Sequence, residues 1–143
     1  MFHFVVKYLG WFKRFPLFPL VFDSLMWIWY MLFHREVIQA IEAVEETLLK
    51  QKDISIGLHR YGGREFRFNG KEVGHIHSNG LLDVLLSKTV KAKLVHQGWV
   101  VDHHVFSNSG WAGFSIRKLK DVEHAVCLLN MAIALRAVNN DIV

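Results

Sequence analysis

The sequence has one cysteine and two prolines among its 143 residues, and it contains no glycine-rich phosphate loop, internal repeat or low-complexity segment. The lone Cys127 excludes an internal disulfide framework and is typical of a reducing compartment. Because no Gly-rich loop links a strand to a helix, nucleotide binding of the Rossmann or P-loop kind is not expected. No small-residue cleavage site follows the apolar N-terminal region, so a cleaved secretory signal is not expected either.

What is present indicates one globular domain, since a chain of this length buries a sizeable core without disulfides or metal ions. The net charge is +4 and the isoelectric point is near 9.3, which is compatible with an anionic partner but does not require one. The basic residues are scattered, so most are expected on a solvated surface. Two short basic clusters stand out, namely Lys88, Lys91 and Lys93, and Arg117, Lys118 and Lys120.

Aromatic residues are concentrated at the N-terminus, where residues 1–34 hold twelve of the nineteen in the chain. The apolar run from Phe15 to Phe33 has the length of a membrane span, but Asp23 interrupts it. We therefore predict an aromatic-rich helical extension over residues 1–34 and a single α+β domain over residues 35–143. The extension either packs on that domain, lies on a membrane surface or spans the membrane, and it offers a contact for a homodimer. The expected localisation is cytoplasmic, with peripheral membrane association as the alternative.

Hydrophobic periodicity predicts the order helix, four strands, helix, two strands, helix. Hairpin strands flanked by helices favour an α+β fold, in which a curved antiparallel sheet of about six strands packs against helices. The predicted helices are Arg35 to Gln51, Ser87 to Gln97 and Asp121 to Ala137, and the strands outside the hairpins are Ile54 to His59, Trp99 to Val105 and Trp111 to Ile116.

Two Asn-Gly pairs, at residues 69–70 and 79–80, each predict a two-residue type I′ turn between antiparallel strands. Loops of this length place Phe66 opposite Val73 and His75 opposite Val84. Since side chains alternate along a strand, this register assigns every residue of the hairpins to a face. The predicted face of His75 and His77 also carries Leu82 and Val84, whereas the opposite face carries Glu65, Arg67, Glu72, Ile76 and Asp83.

The most informative motif is His75-Ile76-His77. Two imidazoles at positions i and i+2 on one strand face bind a metal ion such as zinc, or transfer protons in a partly dry pocket. Because His103 or His104 would supply a further ligand, the candidate metal ligands are His75, His77, His103 and His104. The alternative is that these rings are core or groove-edge histidines bonded to backbone carbonyls.

Several segments of the chain resemble the family of small proteins called luciferase domain proteins. They are Gly62 to Phe66, Asn69 to His77, Asn79 to Gly80, Asp102 to Val105 and Ser109 to Trp111, and the resemblance extends over about residues 55–137. The order of elements also resembles the MmcQ/YjbR-like fold, for which a DNA-binding role has been proposed; the family label implies no light emission here. As site residues the resemblance marks Glu65, His75, His77, His103, His104, Ser109 and Trp111, together with Asn79 and Asp83. The predicted register argues against Asp83 as a ligand, because it places Asp83 on the face opposite the histidines.

The leading functional interpretation is a non-enzymatic binding module, with a histidine-lined groove for a small-molecule ligand or a protein partner. No motif requires an enzymatic reaction. The first alternative is a hydrolytic enzyme that uses His75 and His77 as proton carriers or as metal ligands. The second is nucleic-acid binding through wing-like hairpins, where Glu65 and Glu72 interleave with basic residues. Those basic residues are Arg60, Arg64, Arg67 and Lys71.

Overall fold

The computed structural model describes residues 18–140, and these residues form an α+β fold with one open antiparallel sheet. The sheet has six strands in the spatial order β1-β2-β3-β4-β6-β5, which confirms the predicted fold class. The helices are α1 (Phe18–Phe33), α2 (Arg35–Leu49), α3 (Lys88–His96) and α4 (Val122–Asn140), with a 3₁₀ helix at Leu119–Asp121. The strands are β1 (Ile54–Leu58), β2 (Arg64–Phe68), β3 (Lys71–Ile76), β4 (Leu81–Leu85), β5 (Val101–Asp102) and β6 (Trp111–Ser115).

The core lies between one face of the sheet and helices α2 and α4. The apolar stripe of α2 is buried because its residues recur at helical spacing, as the sequence predicts. The sheet contributes alternate strand residues, among which Phe66, Ile76 and Leu82 are fully buried. The opposite face of the sheet is therefore left for polar side chains.

The first Asn-Gly turn has the predicted form, with φ of 50° at Asn69 and 74° at Gly70. The pairing beyond it differs from the prediction, because Arg67 faces Glu72 but Phe66 faces Gly74. The extra residue on β3 forms a β-bulge, which shifts the alternation of faces by one position. Glu65 consequently lies directly opposite His75, so the prediction that they occupy opposite faces was wrong.

The second hairpin has a three-residue loop, Ser78–Gly80, instead of the predicted two-residue turn. The N–H of His77 donates to the Leu81 carbonyl at 2.9 Å, and the positive φ of 80° falls on Gly80. Three-residue hairpin loops commonly close with a residue of left-handed conformation, which glycine adopts without strain. His75 therefore pairs with Asp83 and not with Val84. The prediction that Asp83 lies on the face opposite the histidines was wrong.

The first of the two C-terminal strands is shorter than predicted, spanning Val101–Asp102 in place of Trp99 to Val105. The strand ends because Nδ1 of His103 accepts backbone N–H bonds from Val105 and Phe106, at 3.1 and 3.0 Å. Bonding of this kind offers the backbone an alternative to the sheet ladder. In the loop that follows, the Phe106 ring stacks on the His103 ring, with centroids 5.2 Å apart.

Helix α1 is attached to the domain through Asp23, the one charged residue in its sequence. The Asp23 carboxylate accepts bonds from the Gly63 N–H at 2.7 Å, the Ser78 N–H at 3.2 Å and the Ser78 hydroxyl at 2.7 Å. Glycine at position 62 permits this approach, because a Cβ there would lie 2.3 Å from the Asp23 Cβ. Trp27 and Tyr30 pack against the core from the same helix.

The predicted aromatic extension over residues 1–34 is not supported as a whole, since the described part begins at Phe18. The predictions that concern residues 1–17 lie outside the described residues. Within residues 18–140, no helix has both the length and the apolar character needed to cross a membrane.

Lys91 on helix α3 is buried, with 6% of its surface exposed, which corrects the prediction of a solvated basic cluster at this position. Its ammonium group donates to the carbonyls of Ser107 and Ser109 and pairs with the Asp102 carboxylate at 2.8 Å. The lysine thus fastens the loop after β5 to helix α3.

We expect Lys91→Met to lower the free energy of unfolding by about 2 kcal/mol, because it leaves half-buried carbonyls without a donor. Urea denaturation monitored by circular dichroism would measure the change. Lys93→Met, at an exposed position on the same helix, is the matched control and should change stability by less than about 0.5 kcal/mol. Equal stability of the two variants would contradict the anchoring role.

Candidate functional site

A buried carboxylate on β4, Asp83, is surrounded by imidazoles on the polar face of the sheet. Its Oδ2 lies 3.5 Å from Nε2 of His75, 3.6 Å from Nε2 of His77 and 3.5 Å from Nε2 of His103. These distances exceed the roughly 3.2 Å limit of a good N–H···O hydrogen bond. Neither oxygen of Asp83 has a hydrogen-bond partner among the described residues, although Asp83 is only 1% exposed. We call these four residues the His/Asp cluster.

The strand register brings the cluster together. His75 on β3 pairs directly with Asp83 on β4, and His77 lies two residues further along the chain on the same face. On the other side, β6 pairs Gly113 with both Asp83 and Val101, so a residue without a side chain separates Asp83 from β5. His103, which directly follows β5, therefore reaches Asp83 across β6.

Hydrogen bonds at the far ring nitrogens assign different roles to His75 and His103. Nδ1 of His75 lies 2.7 Å from Oε1 of Glu72, so it carries the proton, and Nε2 keeps a lone pair when the ring is neutral. Nδ1 of His103 accepts two backbone N–H bonds, so Nε2 carries the proton and points it at Asp83. His75 is thus able to bind a cation, whereas His103 is oriented to hold the carboxylate.

The electrostatics of the cluster favour a positive charge beside Asp83. Burial acts to lower the pKa of His75, but the facing carboxylates of Asp83 and Glu72 outweigh it and raise the pKa to about 9. Burial acts to raise the pKa of Asp83, but the surrounding histidines bring it well below its usual range. Burial lowers the pKa of His103, despite the attraction of Asp83. Asp83 is therefore an ionised carboxylate that needs a cation or a protonated imidazole next to it.

His59 and Glu72 extend the cluster toward the edge of the sheet. The His59 ring stacks on the His75 ring, with centroids 3.9 Å apart and an interplanar angle of 8°. Its Nε2 lies 3.8 Å from Oε1 of Glu72. Burial and the neighbouring His75 lower the pKa of His59, which therefore tends to be neutral. His59 therefore covers one side of the His75 ring, while Glu72 holds its Nδ1 edge.

Three groups of side chains have ligand atoms within 4.8 Å of one another, as a bound metal ion requires. Two of them share Asp83 and two share His75. They are His59, Glu72 and His75; His75, His77 and Asp83; and Asp83, His103 and His104.

The structure places three of the predicted site residues in the cluster, namely His75, His77 and His103. His104 is exposed, and its ring stacks on that of His103 with centroids 4.5 Å apart. Glu65 lies beside the cluster, and its carboxylate is engaged by Arg67 at 2.6 Å.

The last two predicted site residues, Ser109 and Trp111, lie on the loop between β5 and β6 and on β6 itself. Ser109 has a local role, because its hydroxyl donates to the Phe106 carbonyl at 2.6 Å and accepts from the Trp111 N–H at 3.1 Å. The Trp111 ring lies 5.4 Å from the His75 ring and 6.2 Å from the His103 ring. Trp111 therefore forms an apolar wall beside the imidazoles.

Sequence reasoning missed Glu72 and His59 as site residues. The family resemblance marked Asp83, but the predicted register wrongly argued against it as a ligand. Gly74 was an available signal for the bulge, since glycine inside a strand often marks one. With the bulge placed, Glu72 and His75 share a face. No comparable signal in the sequence distinguishes a three-residue loop from a two-residue turn at Asn79-Gly80.

Two of the basic residues proposed for nucleic-acid binding are paired with carboxylates. Nε of Arg64 lies 3.0 Å from Oε1 of Glu45, and Nε of Arg67 lies 2.6 Å from Oε1 of Glu65. Partly neutralised guanidinium groups contribute less to phosphate binding. Nucleic-acid binding through this hairpin stays a prediction that the geometry does not strengthen.

The fold and the site define an α+β domain with a buried His/Asp cluster on the sheet face opposite helices α2 and α4. Residues 70–132 match the family model described as "Luciferase domain", which confirms the predicted resemblance over that segment. The matched segment contains all four residues of the cluster, whereas His59 and Glu65 precede it. No curated protein and no solved structure matches the chain, and the MmcQ/YjbR-like fold name stays a prediction.

Proposed function

We propose that this domain binds one divalent transition-metal ion through Nε2 of His75, Nε2 of His77 and Oδ2 of Asp83. The observation that carries the proposal is the buried Asp83 carboxylate, which has no hydrogen-bond partner among the described residues and faces imidazole nitrogens at 3.5 and 3.6 Å. Ligands about 2.1 Å from a tetrahedral metal ion stand about 3.4 Å apart. The spacing therefore suits a shared ion better than direct hydrogen bonds.

The donor set indicates the class of metal. Imidazole nitrogens suit zinc, iron, copper and nickel, whereas calcium and magnesium prefer oxygen ligands. A single carboxylate supplies the one negative charge among the three ligands. We therefore expect a late or middle first-row divalent ion, with zinc among the candidates.

The surroundings of the three ligands support the same assignment. Glu72 holds Nδ1 of His75, an arrangement that is common behind metal-binding histidines and fixes the ring orientation. The Nε2 proton of His103 points at the Asp83 carboxylate from the other side. Both contacts orient ligands without occupying the positions where the ion would bind.

The three-ligand set also favours a second candidate function, metal-assisted hydrolysis. Catalytic zinc sites typically have three protein ligands and keep a position for water, whereas structural sites are closed by four. When bound, the ion would lower the pKa of that water or polarise a carbonyl group. The metal-loaded protein is the form in which to assay such an activity.

The test is the metal content of the untagged, purified protein, measured by mass spectrometry. We expect a stoichiometric amount of one transition metal in the wild type and its loss in the His75→Ala/His77→Ala variant. The control is His34→Ala/His96→Ala, which removes two exposed histidines outside the cluster and should keep the metal.

A titration with Co²⁺ provides a second readout, because its absorption bands report the coordination number. Bands of a four- or five-coordinate site that disappear in the double variant would support the proposal. A wild type that contains no metal and binds neither Zn²⁺ nor Co²⁺ would refute it. The histidines would then line a groove for an organic ligand or a protein partner.

A further inference from the structure

Helix α1 has an outward face that is mainly apolar, with Ser24 as its exposed polar residue. Side chains at helical spacing on this face are each half or more exposed. They are Val21, Leu25, Ile28, Trp29, Leu32 and Phe33, with exposed fractions from 50% to 62%. We call this set the outer face of α1. Contiguous exposed apolar surface of this kind marks an interaction site.

The outer face carries no charge, because the single charged residue of the helix points the other way. Asp23 binds Gly63 and Ser78 of the domain, and Trp27 and Tyr30 pack on the core. The domain therefore holds one side of α1 and turns the opposite side to the solvent. A helix held in this way is able to lie along an apolar surface but not to be surrounded by it.

The charge pattern of the chain identifies the partner. Residues 1–17, which lead directly into α1, contain Lys7, Lys13 and Arg14 and no acidic residue, and the whole chain has a net charge of +4. An apolar helix face with tryptophan and phenylalanine, preceded by basic residues, is the pattern of segments that bind at the surface of anionic membranes. A second copy packed through the same helix face would offer no acidic counterpart there, because Asp23, the one acidic residue of α1, is bound to the domain.

We propose that the outer face of α1 docks on the surface of an anionic lipid bilayer. The aromatic and aliphatic side chains of the helix enter the interface between headgroups and acyl chains, while Asp23 keeps the helix attached to the domain. This proposal does not depend on metal binding.

The experiment is sedimentation of the full chain with vesicles of phosphatidylcholine alone and of phosphatidylcholine mixed with phosphatidylserine. We expect binding to the mixed vesicles and at least tenfold weaker binding to the neutral ones. The Leu25→Gln/Leu32→Gln variant should bind the mixed vesicles at least tenfold more weakly than the wild type. Both substituted positions are exposed, so circular dichroism should show an unchanged melting temperature.

The matched control is Leu49→Gln/Val138→Gln, which replaces two exposed apolar residues outside α1 and should bind like the wild type. Equal vesicle binding by the two double variants would overturn the proposal. A second result would also overturn it: the wild type binds neither kind of vesicle and forms a dimer, detected by light scattering. The Leu25→Gln/Leu32→Gln variant would then be monomeric. In that case a second copy of the chain covers the face.

Discussion

Asp83→Asn is expected to weaken metal binding by more than about 100-fold. Removing a group that only orients a ligand weakens metal binding by about 10- to 100-fold, and Asp83 is proposed as a ligand itself. The substitution preserves shape but removes the one negative charge among the proposed ligands. In the metal-free protein it also leaves His75 without one of the two carboxylates that stabilise its charged form. We therefore expect the free energy of unfolding to fall by about 3 kcal/mol at neutral pH, as when a buried ion pair loses one partner.

Isothermal titration with Zn²⁺ and urea denaturation in the presence of a chelator would measure the two effects. Asp53→Asn is the control, because Asp53 is exposed and its φ of 65° is one that asparagine accepts. The Zn²⁺ affinity of Glu72→Gln should lie between those of Asp83→Asn and Asp53→Asn, with binding about tenfold weaker than in the wild type. The effect is smaller because an amide oxygen still accepts the hydrogen bond from His75. Retention of wild-type affinity by Asp83→Asn would show that the carboxylate is not a ligand.

Asp23→Ala is expected to lower the free energy of unfolding by about 3 kcal/mol, because it removes the acceptor of three hydrogen bonds. The backbone N–H groups of Gly63 and Ser78 belong to buried residues and would lose a charged partner. Thermal or urea denaturation would measure the change. Ser24→Ala provides the control at the next position, where an exposed hydroxyl bonds only to the Leu20 carbonyl of its own helix.

Asp23→Ala should also weaken metal binding. Ser78 directly follows His77, and Gly63 accepts the N–H of His59 at 3.1 Å, so Asp23 ties together the two loops at this end of the cluster. We expect the affinity of Asp23→Ala for Zn²⁺ to fall several-fold, while that of Ser24→Ala stays unchanged. If Asp23→Ala matched Ser24→Ala in both stability and affinity, α1 would not be docked as the structure shows.

Much of the fold was predictable because local signals act over a few residues. The bounds of α2 and α3 follow from apolar spacing, from the Ser87 hydroxyl that accepts the Val90 N–H at 3.2 Å, and from Gly98 with its φ of 71°. The antiparallel sheet follows from the hairpin signals. Helix α1 was predicted as part of an extension, but its attachment through one aspartate was not.

The pairing register was less predictable, because it depends on single-residue choices within the hairpins. A bulge on β3, opposite Phe66 and Arg67, shifts the alternation by one position, and one extra loop residue before Leu81 does the same. Together they reverse the assignment of Glu65, Glu72 and Asp83 relative to the histidines. An error of one residue in register thus removed the central carboxylate from the predicted site.

The sequence by itself determined the α+β class, the His75-Ile76-His77 strand and the resemblance to luciferase domain proteins, because each depends on neighbouring residues or on a recognisable motif. Only the tertiary structure decided that Asp83 joins the histidines, that Lys91 is buried and that Asp23 docks α1. These contacts connect residues that are distant in sequence or lie across strands whose register local patterns leave open. The sequence therefore predicted which side chains carry the chemistry, whereas the sheet face on which each of them lies depended on how the strands pair.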